Sequence, residues 1–287
     1  MASSIVYSRA LMGMRAPEVE IEVHLSRGLP AFNIVGLPEK AVKESRDRVR
    51  SALLNNGFEM PAKRITINLA PADLPKQGGR YDLPIAIGLL VALGVIDQSR
   101  VTAMEFIGEL GLMGDVRRCS GMLPMALACF QCRRQLVLPQ DNIKETTLVE
   151  ALVQFPVNHI LSVVAHLQQV QLISPDRSPP KNKRIECGVD MSDVVGHEMA
   201  KRVLVVAAAG GHSVLMQGPP GSGKSMLAQR LPGLLPPMTA TEAIETAALY
   251  SISHQGARQH CHQRPFRSPH HSASAVALVG GGSPPQP

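Results

Sequence analysis

The stretch Gly218-Pro-Pro-Gly-Ser-Gly-Lys-Ser225, GPPGSGKS, has the G-x-x-x-x-G-K-[ST] spacing of a phosphate-binding loop. Gly218, Gly221 and Gly223 let successive backbone N–H groups turn inward into an anion cradle, in conformations that a side chain would block. Pro219, Pro220 and Ser222 complete the loop, Lys224 reaches toward the β- and γ-phosphates, and the Ser225 hydroxyl ligates Mg²⁺. HSVLMQ (His212 to Gln217) reads as a strand entering the loop. SMLAQRL (Ser225 to Leu231) reads as a helix that turns its positive end to the phosphates and stops at Pro232. A chance match in a glycine-rich loop would require neither flank. The expectation is an α/β phosphate-loop domain that binds ATP with Mg²⁺.

Working back from the loop, DVVGHEMAKRVLVVAAAGG reads as a helix ending at Gly210-Gly211. Before it, SPDRSPPKNKR (Ser174 to Arg184) is polar, proline-rich and basic without periodicity, which is the composition of a linker. The expected organisation is a first domain over 1–172, a linker over 173–189 and the phosphate-loop domain over 190–287.

The first domain mixes strand and helix patterns, so an α+β fold is expected. In EVEIEVHL, Val19, Ile21, Val23 and Leu25 alternate with Glu18, Glu20, Glu22 and His24, the signature of a half-exposed strand. AFNIVG and RITINL are further strands. Between them a helix starts near Pro38, places Ala41, Val42, Val49, Leu53 and Leu54 on one face, and ends at Asn56-Gly57. After the loop APADLPKQGGRYD comes the apolar run Leu83 to Ile96, too short to span a bilayer and read as a buried helix. FIGELGLMGDVR reads as a hairpin, GMLPMALACFQCRR as a helix, QLVLP as a short strand and NHILSVVAHLQ as a helix.

Past the loop, Thr239-Ala-Thr-Glu242 forms a capping box that opens the helix EAIETAALYS. The segment RQHCHQRPFRSPHHSASAVALVGGG then gathers Arg258, Arg264 and Arg267 with His260, His262, His270 and His271. Three readings compete: a solvated basic loop, a surface for DNA phosphates or a neighbouring subunit, and a zinc site using His260, Cys261, His262 and a later His without standard spacing. Cys129 and Cys132 read as a partly buried pair on a helix rather than a redox or metal site. Aromatic residues make up only 3% with no Trp, so the core must be aliphatic. The net charge of +6 permits an acidic partner such as nucleic acid without requiring one. Five cysteines without regular spacing, no secretory signal and no membrane-length run point to the cytoplasm.

DVVGHEMAKRVLVVAAAGGHSVLMQGPPGSGKSMLAQRLPGLLP followed by RPFRSPHHSASAVALVGGG resembles the magnesium-chelatase-like branch of the AAA+ ATPases, and within it the YifB/ComM group. The segment PEVEIEVHLSRGLPAFNIVGLPEKAVKESRDRVRSALLNNGFEMPAKRITINLAPADLPKQGGRYDLPIAIGLL is similar to that group's first domain. The resemblance implies a first domain with the fold of the Lon proteolytic domain and a second that is an AAA+ motor assembling into hexameric rings. It also implies a DNA helicase that drives branch migration in natural transformation. A residue-by-residue test speaks against proteolysis. Where the Lon-type Ser and Lys should stand, this chain has Ile85 and Leu123, neither able to act as nucleophile or base. The domain then serves as an assembly or DNA-engaging platform. His197 departs from the Gln common in the family, near the expected adenine pocket.

No hydrophobic strand ending in Asp-Glu follows the phosphate loop, so the chain reads as the front of a motor, truncated before the metal-holding acid and unable to hydrolyse ATP alone. On that reading the part from about Asp190 onward is poorly stable by itself, while the first domain folds independently. Two other functions stay open: a chelatase-type motor subunit remodelling a partner, and a non-enzymatic nucleotide-binding remnant.

Overall fold

The structure is a computed structural model that describes residues 2–176, 189–253, 264–275 and 280. It divides into two compact units. The first holds Met1–Pro180 with Ala248–Arg258 and Pro285–Pro287, the second Lys181–Ala247 with Gln259–Pro284. Most of the expected linker, and His260, Cys261 and His262 of the zinc reading, lie outside the described residues, as does Arg258.

The first unit is a mixed α/β layer structure. Its strands are β1 (Ala2–Arg9), β2 (Glu18–Ser26), β3 (Ala31–Val35), β4 (Arg64–Ala70), β5 (Met104–Phe106), β6 (Glu109–Leu110), β7 (Val116–Arg117), β8 (Gln135–Pro139) and β9 (Gln154–Val157). Seven of them form one sheet in the order β3-β4-β2-β1-β5-β8-β9, and β6 pairs with β7 in a separate hairpin. The β1/β2 and β2/β4 pairings are antiparallel and the other four are parallel. The sheet is therefore mostly parallel, where an α+β segregation was expected, because its second half is built from strand–helix–strand crossovers. Helix α1 (Lys40–Asn55) links β3 to β4, and helix α2 (Asp82–Ala92) leads on to β5. Then α3 (Met122–Gln131) precedes β8, α4 (Ile143–Thr146) links β8 to β9, and α5 (Ile160–Leu167) follows.

The alternation read in β2 is the alternation seen: Val19, Ile21, Val23 and Leu25 are buried. The α1 face shifts slightly, with Val42, Ser45, Val49, Ala52 and Leu53 buried and Leu54 exposed. A 3.6-residue period carries Leu54 past the edge of a stripe centred on Val49. Every residue of α2 is buried, as its continuous apolar run implies, and it packs on β1, β2 and α1. Gly88 makes that approach possible: a Cβ there would stand 2.9 Å from Val23 Cγ2, while Ser4 Oγ donates to the Gly88 carbonyl at 2.7 Å.

Two strands were not legible. In β1 the inward positions are Ser4, Val6 and Ser8, all buried, while Ile5 faces out at 41% exposure, so the hydrophobic alternation is broken. The edge strand β9 carries Pro156, which an edge tolerates and a pattern search penalises. The expected hairpin is also shorter than read, because Met104–Phe106 joins the main sheet and only β6 and β7 pair.

Gly36 closes the turn after β3 with φ +96, and a Cβ on it would lie 2.2 Å from the Leu69 carbonyl oxygen. Both backbone conformation and space forbid a side chain. Gly36→Ala is expected to lower stability by about 2–3 kcal/mol, read by urea unfolding, and a loss below about 0.5 kcal/mol would contradict this packing.

The described part of the second unit is helix and loop: α6 (Glu198–Gly210), α7 (Lys224–Leu234) and α8 (Ala240–Ile252), the last continuing into the first unit's residues. HSVLMQ forms no strand. Val214 and Met216 turn toward a small cluster of Met191, Val194, Leu204 and Leu227, and Leu215 faces out, which is the alternation of a strand. No other strand stands in the described part of this unit to complete a ladder. Helix α7 runs through Pro232 to Leu234. Its stop is set by the extended Leu235, whose helical conformation is disfavoured by the following Pro236.

Candidate phosphate-binding site

Residues 218–223 form a loop that feeds directly into α7. Gly221 and Gly223 take φ +78 and +80, in the region where the sequence requires glycine. Gly218 is not left-handed; a Cβ there would meet Ser222 Oγ at 3.2 Å, so its smallness serves close approach instead. Gly223 is the N-cap of α7, and no side chain caps this helix. Its first N–H groups are therefore open to an anion. Pro219 and Pro220 are exposed on the rim.

The Lys224 ammonium folds back over the loop. It donates to the Gly218 carbonyl at 2.8 Å, the Pro219 carbonyl at 2.7 Å and Ser222 Oγ at 3.1 Å. These neutral oxygens hold the amine where phosphate oxygens would compete for it with charge-assisted bonds. Ser225 is exposed at the first turn of α7 and its hydroxyl has no partner among the described residues. The cradle, the cation and the free hydroxyl fit a nucleotide phosphate chain with its Mg²⁺.

His197 lies against this loop. A Cβ on Gly223 would fall 3.5 Å from His197 Nε2. His197 is itself the N-cap of α6 in a left-handed conformation, φ +57, which costs a residue with a side chain on the order of 1 kcal/mol or more. Below the loop, Arg230 Nε donates to the Asp190 carbonyl at 2.8 Å, tying α7 to the start of the unit.

In the basic segment, Arg264 donates to the Pro236 carbonyl at 2.9 Å and lies 3.6 Å from Glu242. Glu242 closes the capping box with Thr239, as read, accepting from the Thr239 N–H at 2.8 Å. Arg267, His270 and His271 are exposed. The two imidazoles lie 4.0 Å apart, and His270 Nδ1 is 2.7 Å from Ser272 Oγ.

In the first unit, Ile85 and Leu123 are fully buried and apolar. Sequence reading passed over a polar cluster there. Arg9 grips the buried Glu105 through two bonds of 2.8 and 2.5 Å, and Arg134 pairs with Glu18 at 2.5 Å. Glu18, Glu105 and Cys132 bring their ligand atoms within 4.8 Å of one another, but both carboxylates are already matched by guanidinium groups. Burial pushes the Cys119 thiol up to about 12 and the Cys129 thiol higher still, so both are inert. Among the described residues, no helix is long and apolar enough to cross a membrane.

Comparison with known proteins places this geometry. Residues 21–142 match a family model described as subunit ChlI of Mg-chelatase, and residues 190–287 match one described as magnesium chelatase, subunit ChlI. The chain is 50% identical over 292 residues to competence protein ComM of Haemophilus influenzae, covering 100% of this chain and 57% of that protein. It is 47% identical over 289 residues to YifB of Escherichia coli K12, again over 100% of this chain and 57% of the relative. A protein of Mycobacterium tuberculosis H37Rv is 40% identical over 294 residues, with 99% and 57% covered. The chain thus spans a little over half the length of these relatives. With both units matched, the chain belongs to the YifB/ComM family of magnesium-chelatase-like proteins.

Proposed function

We propose that this chain carries the nucleotide-binding part of an ATP-driven motor that acts on DNA. The observation that carries the reading is the loop itself: two left-handed glycines, an uncapped helix start and a lysine held on neutral oxygens. In the proposed site the backbone of 221–225 binds the phosphates, Lys224 turns from Gly218 and Pro219 to the β- and γ-phosphates, and Ser225 holds Mg²⁺. The metal supplies charge neutralisation at the phosphates when bound. The DNA part rests on full-chain likeness to a protein whose name ties it to competence. Action as a helicase on recombination intermediates and assembly into a hexameric ring are proposals of the same standing. So is a Lon-like, non-proteolytic first unit, which the buried Ile85 and Leu123 support.

A second reading, a chelatase-type motor subunit, draws on the descriptions of the two matched families. Likeness to a competence protein over both units favours the first. The two separate in one experiment: a fluorescent ATP analogue bound by the chain should dissociate more readily in Ser225→Ala when Mg²⁺ is present, and labelled DNA should bind the same preparation. Nucleotide binding without DNA binding would favour the chelatase-type subunit, and absence of nucleotide binding would remove both readings.

A further inference from the structure

We propose that a cavity at the end of α3, in the first unit, binds single-stranded nucleic acid, one base stacking on Phe130 and the adjoining phosphate meeting Arg133. The proposal rests on the DNA reading above and adds to it a place on the molecule.

Two tight turns make the cavity. Helix α3 ends at Gln131, Cys132 caps it, and Arg133 reverses the chain in the left-handed region with φ +56 before β8 begins. Facing it, Ala151 turns the chain with φ +65 just ahead of β9. Between them lies a cavity of about 530 Å³, lined by Phe130, Gln131, Arg133, Arg134, Gln135 and residues 151–153. That volume admits a nucleobase with its sugar.

The lining has the chemistry of a nucleotide and little else. Phe130 is 44% exposed on a helix whose Met122, Leu123, Met125, Ala126 and Cys129 are all buried. Its ring is thus a free apolar face at the mouth of a cavity. Arg133, Gln131 and Gln135 have no side-chain partner among the described residues. Arg134 is the contrast: it pairs with Glu18 and lies 3.6 Å over the Tyr7 ring, so it is a fixed wall and not an available charge. An aromatic face, one unmatched guanidinium and two unmatched carboxamides correspond to a base's π-face, a phosphate and a base's edge. An acidic peptide would engage Arg133 and leave the phenyl face unused.

The test measures binding of a fluorescein-labelled oligothymidylate of about 15 nucleotides to the full chain across a salt series. Phe130→Ala should weaken binding at least about 5-fold while leaving the slope of log affinity against log salt unchanged, since stacking releases no counterion. Phe130→Tyr should restore it. Arg133→Ala should weaken binding and reduce that slope by about 0.7, the contribution of one phosphate contact on a single strand. Both residues are exposed, and wild-type melting of either variant establishes that it is folded. Wild-type affinity and slope in both variants would remove this site while leaving the DNA reading intact. A loss in Arg133→Ala alone, with competition by an acidic peptide, would reassign the cavity to protein. No binding of the oligonucleotide by the unaltered chain would remove site and DNA reading together.

Discussion

Lys224→Ala should reduce ATP affinity roughly 100-fold or more, leaving the fold of the first unit unchanged. The proposed bound state gives the ammonium at least two charge-assisted bonds to phosphate oxygens, each worth about 1.5–3 kcal/mol, and the sum corresponds to that factor or more. In the free chain the same ammonium bonds the Gly218 and Pro219 carbonyls and Ser222 Oγ. Its loss therefore also loosens the loop, and the variant's loop amides should exchange faster without any ligand. Lys224→Arg should not rescue affinity, because a planar guanidinium cannot replace a compact ammonium inside a loop built around it. Equilibrium titration with a fluorescent ATP analogue decides the matter. Affinity within about 3-fold of the unaltered chain would mean that nucleotide, if bound, lies elsewhere.

The second large effect is on stability. Asp82 opens α2 with its carboxylate fully buried, and Arg48 on α1 meets it through two bonds of 2.6 and 3.0 Å. The Leu110 N–H adds a third at 3.1 Å. Desolvation holds the Asp82 carboxyl above the usual carboxylate range, with Arg48 opposing that shift. Removing the guanidinium leaves a buried charge with only the Leu110 N–H and the Ser45 hydroxyl as donors, so Arg48→Ala is expected to lower stability by about 3–5 kcal/mol. The sign of the pH dependence follows. A carboxyl whose folded pKa is raised favours the folded state while protonated, and that contribution is lost as pH rises through the folded value. Without Arg48 the rise is larger, so the penalty should be greatest near about pH 7.5 and shrink toward about pH 5. Adding Asp82→Asn should recover part of it, since the unmatched charge is then gone. Urea unfolding at both pH values measures this, and a loss below about 1 kcal/mol, independent of pH, would mark the pair as a surface one.

How much of this was legible in the sequence depends on how local each signal is. The strand at 18–26 and the helix at 82–92 were readable because burial there follows the apolar pattern directly. The first strand was not, since it buries Ser4 and Ser8 and exposes Ile5, an arrangement that the packing of α2 on that face, with Gly88 against Ser4 and Val6, explains. The phosphate loop was readable because Gly221, Gly223, Lys224 and Ser225 act through backbone conformation and reach within one turn of chain. By contrast, the bonding of Arg264 to Pro236 and Glu242 depends on contacts more than twenty residues away. The cavity beside Phe130 likewise needs residues 130–135 and 151–153 brought together by the β8/β9 pairing. Helix α7 teaches a finer lesson: Pro232 was read as the stop, but the conformation of the residue before Pro236 sets it.

The proposed function stands or falls with GPPGSGKS taking up the phosphates of ATP. Hydrogen–deuterium exchange of the 287-residue chain, with and without ATP and Mg²⁺, tests it at the level of individual amides. ATP should slow exchange across 221–226, where open N–H groups of the loop and the first turn of α7 would gain phosphate partners, and Lys224→Ala should abolish the protection. Protection by ATP that appears elsewhere while 221–226 exchanges unchanged would contradict this site.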